Sequence, residues 1–226
     1  MTKMHNVKHH LTDALLMAYS AGTLPEAFNL IAASHISMCD ECRARLASFD
    51  SVGGALLDGG EAVSMDDSSF AETMRLINSG AFAAPVKPDR ITAVQPGAPK
   101  TVLPAPVQDY VGGDLDMVKW RPIGMGVKQA ILPTSKDASI RLLYIPAGTA
   151  VPDHGHRGLE LTLVLQGAFV DETDRFGPGD IEIANEDLTH TPIADIGEDC
   201  ICLAATDAPL RFNKLIPRIA QPFFRI

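Results

Sequence analysis

The sequence predicts an α+β protein of two parts, in which a small helical segment precedes an antiparallel β-barrel of the jelly-roll kind. Helix-starting signals recur over residues 1–80, six prolines mark residues 81–106 as a linker, and short apolar strands fill residues 107–226. The chain of 226 residues is long enough for two domains, and 46% of its residues are hydrophobic. A packed core is therefore expected, although the helices alone would make a marginal one.

Four short helices are expected in the first 80 residues. Their expected starts are Thr12, Thr23, Cys39 and Ser69. Thr12 is a suitable N-cap, and Thr23 and Ser69 are each followed three residues later by a glutamate, which is the pattern of a capping box. Gly53-Gly54 is expected to weaken the third helix.

The region after the linker contains short apolar or alternating segments that are typical of strands. The clearest are residues 140–144, 160–165, 168–170, 180–183 and 200–204. Turn residues such as Gly148, Gly167 and Gly179 separate these segments. Many short strands at this spacing predict an antiparallel barrel or jelly roll.

Charge and composition exclude several classes of function. The net charge is −9 and the isoelectric point is about 5.2, so direct nucleic-acid binding, which needs a clustered basic face, is not expected. The first ten residues are polar, and the longest apolar run is far shorter than the ~18 residues of a membrane span. The four cysteines form two close pairs rather than a disulfide framework. We expect a soluble, cytoplasmic protein with no membrane partner.

The segment His35-Ile-Ser-Met-Cys39-Asp-Glu-Cys42 predicts a zinc site in the helical part. Two thiols at a helix start and an imidazole four residues earlier supply three of the four ligands of tetrahedral zinc. The helix N-terminus should favour the ionised thiolates. The alternative is a redox dithiol, but a small helical unit gains most from a metal.

A second candidate metal site lies in the β region, where His154, His156 and Glu160 are in phase on an extended strand. All three side chains can therefore point into the barrel. Two imidazoles and a carboxylate are costly to bury unless a cation binds them. Zinc, iron, manganese, nickel and copper all suit such ligands.

Both motifs carry a family resemblance. The segments His9-His10-Leu-Thr-Asp-Ala-Leu-Leu and Cys39-Asp-Glu-Cys-Arg-Ala-Arg45 resemble the start of ChrR-type zinc-binding anti-sigma factors. The segment from Gly148 through His154, His156 and Glu160 to Gly167 resembles the complete first motif of the cupin family. The resemblance covers both parts of the chain, in the same order and at nearly the family's length.

The resemblance implies ligands for two metal ions. The implied zinc ligands of the helical segment are His10, His35, Cys39 and Cys42, with the adjacent His9 as the alternative to His10. In cupins a later histidine completes the site, and His190 is the only histidine after Glu160. Ten residues separate it from Gly179 where the cupin pattern has two. The divalent metal implied for the set His154, His156, Glu160 and His190 is zinc.

The resemblance also implies a function. ChrR-type proteins hold an extracytoplasmic-function sigma factor in a 1:1 complex through residues equivalent to 1–80 and release it under oxidative stress. The signal, singlet oxygen or organic hydroperoxide, is sensed by the cupin domain, here residues 107–226. Such binding requires an exposed apolar patch on the helices. The candidates are Leu16, Tyr19, Leu24, Phe28, Leu46 and Phe49. In so small a helical bundle most of them are expected to form the core.

Three other interpretations stay open at this point. The first is a metal-dependent cupin enzyme, a dioxygenase or isomerase, with an accessory zinc domain. The second is a ligand-binding cupin with no sigma partner. The third concerns Cys200 and Cys202, which face the same way on an expected strand. They are either a redox-sensing dithiol beside the barrel metal or two small buried apolar side chains.

Overall fold

The computed structural model describes residues 7–80 and 101–212. These residues form two compact units. One contains the residues up to Gly53 together with those from Thr101 onward, and the other contains the residues from Gly54 to Gly80. Most of the predicted linker, residues 81–100, lies outside the described residues.

Four helices lie near the positions that the sequence indicates, with different caps, and a fifth, not predicted, begins inside the predicted linker 81–106 and ends in the region predicted as β. Their bounds are α1 Asp13–Ser20, α2 Glu26–Met38, α3 Asp40–Asp58, α4 Ser69–Asn78 and α5 Ala105–Val111. Thr12 caps α1 as predicted, because its hydroxyl accepts a hydrogen bond from the N–H of Leu15 at 3.3 Å. The capping box predicted at Thr23 is wrong: Pro25 occupies the N-cap of α2, and the Thr23 hydroxyl donates to the carbonyl of Ala18.

The two later predictions for the helices also need correction. Ser69 is the first residue of α4 rather than its cap, and Ser68 occupies the N-cap without a side-chain hydrogen bond. α3 continues through Gly53-Gly54, since a glycine costs a helix only about 1 kcal/mol. Across residues 7–80 and 101–212, no helix is both long and apolar enough to cross a membrane.

The strands form an antiparallel, jelly-roll-like β-domain, here defined as residues 121–212. Their bounds are β1 Arg121–Gly124, β2 Val127–Leu132, β3 Ser139–Ile145, β4 His154–Gly155, β5 Glu160–Gln166, β6 Phe169–Val170, β7 Arg175–Phe176, β8 Ile181–Ala184, β9 Thr189–His190, β10 Ile193–Ala194, β11 Cys200–Thr206 and β12 Arg211–Phe212. The main sheet has the order β1-β2-β3-β11-β5-β8, and two smaller sheets have the orders β10-β6-β7 and β12-β4-β9. Within the described residues these sheets do not join into a single closed barrel.

The central strands β5 and β11 of the main sheet are buried on both faces. Leu163 of β5 and Leu203 of β11 belong to an apolar core that also contains Ile31 of α2, so the helix covers one face of the sheet. Val164 and Cys202 point to the other face, in a second core inside the β-domain. Burial on both faces explains why β5 is a nearly continuous apolar run rather than an alternating one.

Truncation of Leu163 tests this packing. We expect Leu163→Ala to lower the free energy of unfolding by about 2–5 kcal/mol, because the side chain is fully buried and its removal leaves a cavity. Chemical denaturation measures the change. Ile196→Ala is the control, since Ile196 is 86% exposed and its truncation should change stability by less than about 0.5 kcal/mol. Equal stability of the two variants would contradict the packing described here.

Candidate metal centres

The structure brings together the four predicted zinc ligands of the helical segment, which are His10, His35, Cys39 and Cys42. His10 Nδ1 lies 3.3 Å from Cys39 Sγ and 3.7 Å from Cys42 Sγ, and His35 Nε2 lies 3.2 Å from Cys42 Sγ. A tetrahedral zinc ion, with bonds of about 2.0–2.1 Å to nitrogen and about 2.3 Å to sulfur, separates such ligand atoms by about 3.6 Å. The cluster therefore has the dimensions of a zinc site.

Burial shifts the pKa values of two groups in this cluster. Burial lowers the pKa of His35 to about 4, so its imidazole is neutral at pH 7, which is the form that binds metal. Burial, reinforced by the neighbouring Cys39, raises the pKa of Cys42 to about 11. Burial thus opposes the effect expected of the helix N-terminus on Cys42. Zinc would supply the charge that stabilises the thiolate.

Contacts behind the two imidazoles decide which ring nitrogen faces the cluster. His10 Nε2 lies 3.3 Å from Glu41 Oε2, and His35 Nδ1 donates to the carbonyl of Gly179 at 2.9 Å. The alternative ligand, His9, points away. Its Nε2 lies 3.1 Å from Asp174 Oδ2, so the structure places His10 rather than His9 in the cluster.

The second cluster lies in the β-domain and contains His154, His156 and His190. The Nε2 atom of His190 lies 3.2 Å from that of His154 and 3.3 Å from that of His156. These are the separations of about 3.3 Å expected for imidazoles on one tetrahedral metal ion. β4 and β9 pair with His154 directly opposite His190, which explains how a distant histidine reaches the site.

Glu160, the predicted fourth ligand of this site, lies beside the three imidazoles but outside their cluster. Its Oε1 accepts a hydrogen bond from Thr162 at 3.3 Å, and its Oε2 lies 3.8 Å from His156 Nδ1. Burial raises the pKa of Glu160. His156 Nδ1 is buried without a hydrogen-bond partner among the described residues. Ligation by Glu160 stays a prediction.

Two carboxylates that the sequence analysis missed support His190. Its Nδ1 donates to Asp171 Oδ2 at 2.9 Å and lies 3.0 Å from Glu182 Oε1. Burial acts to lower the pKa of His190, but Glu182 and Asp171 outweigh it and raise that pKa to about 9. Burial also raises the pKa of Glu182 to about 7. The alternation of β8 was the available signal, because it turns Glu182 toward the inside of the β-domain.

Cys200 and Cys202 are buried on β11, in the core inside the β-domain. Contact with Cys200, and then burial, raise the pKa of Cys202. A thiol with a raised pKa is a poor nucleophile at pH 7. A redox role for this pair stays a prediction, and it requires a change in the surroundings of Cys202.

The six apolar side chains that the sequence offered either as a binding patch or as helical core belong mostly to the core, as the second of these interpretations expected. Leu16 and Phe28 are buried, while Tyr19, Leu24, Leu46 and Phe49 are partly buried against the core. Exposed apolar side chains lie elsewhere on the helices, at Met17 of α1 and at Val52, Leu56 and Leu57 of α3. On α4 they form a stripe that consists of Phe70, Met74 and Ile77. Their spacing of four and three residues is the signal that the sequence offered for this stripe.

Comparison with known proteins shows the family to which the whole chain belongs. The family described as the ChrR cupin-like domain matches residues 108–209. The chain is 57% identical over 220 residues to the anti-sigma-E factor ChrR of Cereibacter sphaeroides, a match that covers 97% of this chain and 99% of that protein. The chain belongs to the ChrR family of anti-sigma factors. The ChrR family and the cupin fold predicted from the sequence are thereby confirmed.

A solved structure extends the ChrR relationship to three dimensions. This ChrR-family chain matches a chain in the crystal structure of Rhodobacter sphaeroides SigE in complex with the anti-sigma ChrR, with a TM-score of 0.74 and 55% identity. The match covers 89% of this chain and all of the other. These relatives are regulators, so they favour the regulatory interpretation over a cupin enzyme.

Proposed function

We propose that this protein is a cytoplasmic anti-sigma factor that binds an extracytoplasmic-function sigma factor in a 1:1 complex and releases it under oxidative stress. The observation that carries the proposal is the 57% identity, over both parts of the chain, to a protein named an anti-sigma-E factor. A related chain is also seen in complex with SigE. The signal proposed from the sequence is singlet oxygen or organic hydroperoxide.

Zinc has a structural task in this proposal. The four ligands come from three places: the residues before α1, the last turn of α2 and the start of α3. An ion held by His10, His35, Cys39 and Cys42 would tie these places together. Because such a site has no open position, zinc there contributes to folding rather than to chemistry.

The sigma factor is proposed to bind the apolar stripe of α4. Phe70, Met74 and Ile77 are 76%, 40% and 53% exposed, so a partner that buries them gains apolar contact area. Recognition through an amphipathic helix uses anchors at this spacing. On the opposite side of α4, Glu72 and Arg75 form an exposed ion pair.

The β-domain is proposed to be the sensor. A divalent ion, which we propose to be zinc, would be held by His154, His156 and His190, with Glu160 as the fourth ligand. Asp171 and Glu182 orient His190 from behind, as carboxylates commonly do for ligating histidines. The division into residues 1–80 for binding, 81–106 for linkage and 107–226 for sensing is part of the proposal.

Co-expression with an extracytoplasmic-function sigma factor, to be sought first in the genes beside this one, tests the proposed function. We expect a 1:1 complex that does not start transcription. Absence of a complex would contradict the proposal.

The stripe on α4 has its own test in the same experiment. Phe70→Ala/Ile77→Ala should weaken sigma binding at least about tenfold, because two exposed anchors are lost. Glu72→Ala/Arg75→Ala is the matched control with the same number of truncations on the opposite side, and it should bind normally. Equal binding by both double variants would show that the sigma factor does not use the stripe.

A further inference from the structure

A turn of the β-domain, residues 177–180, holds the chain that precedes α1. Asp180 is buried, and its Oδ1 accepts hydrogen bonds from the backbone N–H groups of Lys8 at 2.6 Å and His9 at 3.0 Å. These are the two residues immediately before the zinc ligand His10. Hydrogen bonds to a charged acceptor are the stronger kind, so the β-domain fixes the approach to this ligand.

A second zinc ligand contacts the same turn. The Nδ1–H of His35 donates to the carbonyl of Gly179, which leaves Nε2 free to bind metal. Gly179 has φ +91°, and a Cβ on it would lie 2.7 Å from Val7 Cγ2. Only glycine permits this backbone conformation together with this close approach.

The turn is itself anchored to the main sheet. The N–H of Gly179 donates to the carbonyl of Val164 at 2.8 Å, and the N–H of Val164 donates to the carbonyl of Asp180 at 3.0 Å. Within the turn, the N–H of Gly177 donates to Asp180 Oδ2 at 2.9 Å. Both oxygens of the Asp180 carboxylate are thus engaged, one within the turn and one with the chain before α1.

We propose that Asp180 and the carbonyl of Gly179 are positioning groups for the zinc site of the helical segment, supplied by the β-domain. They act through His10 and His35, not through contact with the metal. The proposed function is needed only to explain what the zinc site is for. The contacts that carry the present proposal lie within one chain and involve no partner.

The same turn leads directly to the second cluster. β8 begins at Ile181, immediately after Asp180, and Glu182 on β8 lies 3.0 Å from His190 Nδ1. Only Ile181 therefore lies between Asp180, which holds the chain before His10, and Glu182, which supports His190. A change in the ligands of the β-domain metal would therefore be transmitted through β8 and this turn to the zinc ligands His10 and His35.

Cobalt substitution in the full-length chain, without a sigma factor, tests the positioning. Cobalt bound by thiolates absorbs in the near ultraviolet through sulfur-to-metal charge transfer, so this band reports only the site with Cys39 and Cys42. Asp180→Ala should retain cobalt about 10–100-fold more weakly against a chelator, the usual effect of losing an outer contact of a metal site. Asp195→Ala is the control, because Asp195 pairs with Arg175 on the surface of the same domain.

A second pair of variants leaves the turn unchanged. Lys8→Pro removes one N–H donor to Asp180 and should weaken cobalt retention about 3–10-fold, whereas Lys8→Ala keeps the donor and should match wild type. Wild-type retention by both Asp180→Ala and Lys8→Pro would overturn the positioning role. Because no sigma factor is present, failure of the proposed function would not affect this result.

The route through β8 is tested by emptying the other site. His154→Ala/His156→Ala should lose cobalt from the thiolate site at least about threefold faster than wild type, since His190 and Glu182 lose their metal-imposed positions. An equal rate would overturn the proposed route.

Discussion

Replacing Cys39 and Cys42 together by serine is expected to remove zinc from the helical segment and to abolish sigma-factor binding. Binding of structural zinc contributes about 10–16 kcal/mol in small zinc domains, which matches or exceeds the entire stability of a typical domain. Serine hydroxyls do not replace the two thiolates as zinc ligands. The residues before α1 and the junction of α2 and α3 would then lose their common anchor.

Loss of zinc from the helical segment should not unfold the β-domain. Ile31 of α2 packs in the same core as Leu163 and Leu203, and this packing does not involve the metal. We therefore expect the β-domain to remain folded, with its far-ultraviolet circular dichroism retained. Metal analysis should show the loss of one zinc ion per chain, and co-purification with the sigma factor should fail.

Cys200→Ala/Cys202→Ala is the matched control, because it removes two buried thiols without touching the zinc cluster. That variant should keep the zinc of the helical segment and bind the sigma factor normally. Normal sigma binding by the Cys39→Ser/Cys42→Ser protein would show that zinc in the helical segment is not needed to present the binding surface.

Much of the fold and of both clusters was predictable from local signals. The position of α1 followed from Thr12, and the zinc cluster followed from the short spacing between His35 and the two cysteines. In both cases the residues concerned are close in sequence or belong to a resembling motif. Only the three-dimensional structure shows that His10 and not His9 belongs to the zinc cluster, because His9 contacts Asp174 and Phe176 instead.

The features that the sequence did not predict depend on contacts between distant residues. The sequence named His190 as a ligand from the resemblance, but it did not predict the pairing of β4 with β9 that brings His190 to the cluster. It also did not predict Asp171, which approaches His190 from another part of the β-domain. Which of the apolar helical side chains are fully buried, as Leu16 and Phe28 are, likewise depends on packing that a helical pattern does not reveal. A helix that packs on a sheet and a helix that binds a partner protein have the same amphipathic pattern.

Replacing His154 and His156 by alanine is expected to abolish oxidant-induced release while sigma binding persists. Two of the three clustered imidazoles are removed, and His190 alone does not hold a metal ion. Neither histidine belongs to the apolar cores of the protein, so the β-domain should stay folded. Exposing the immobilised sigma complex to singlet oxygen from a photosensitiser, and measuring the sigma factor released, tests the expectation.

Arg157→Ala is the control for this variant. Arg157 is exposed and directly follows His156, but it does not belong to the cluster of His154, His156 and His190. It should release the sigma factor as wild type does. Wild-type release by His154→Ala/His156→Ala would remove the β-domain metal from the sensing mechanism. Release without any oxidant would have another meaning: the metal at this site would then be required to keep the zinc ligands in their binding positions, through Glu182 and the turn that ends at Asp180.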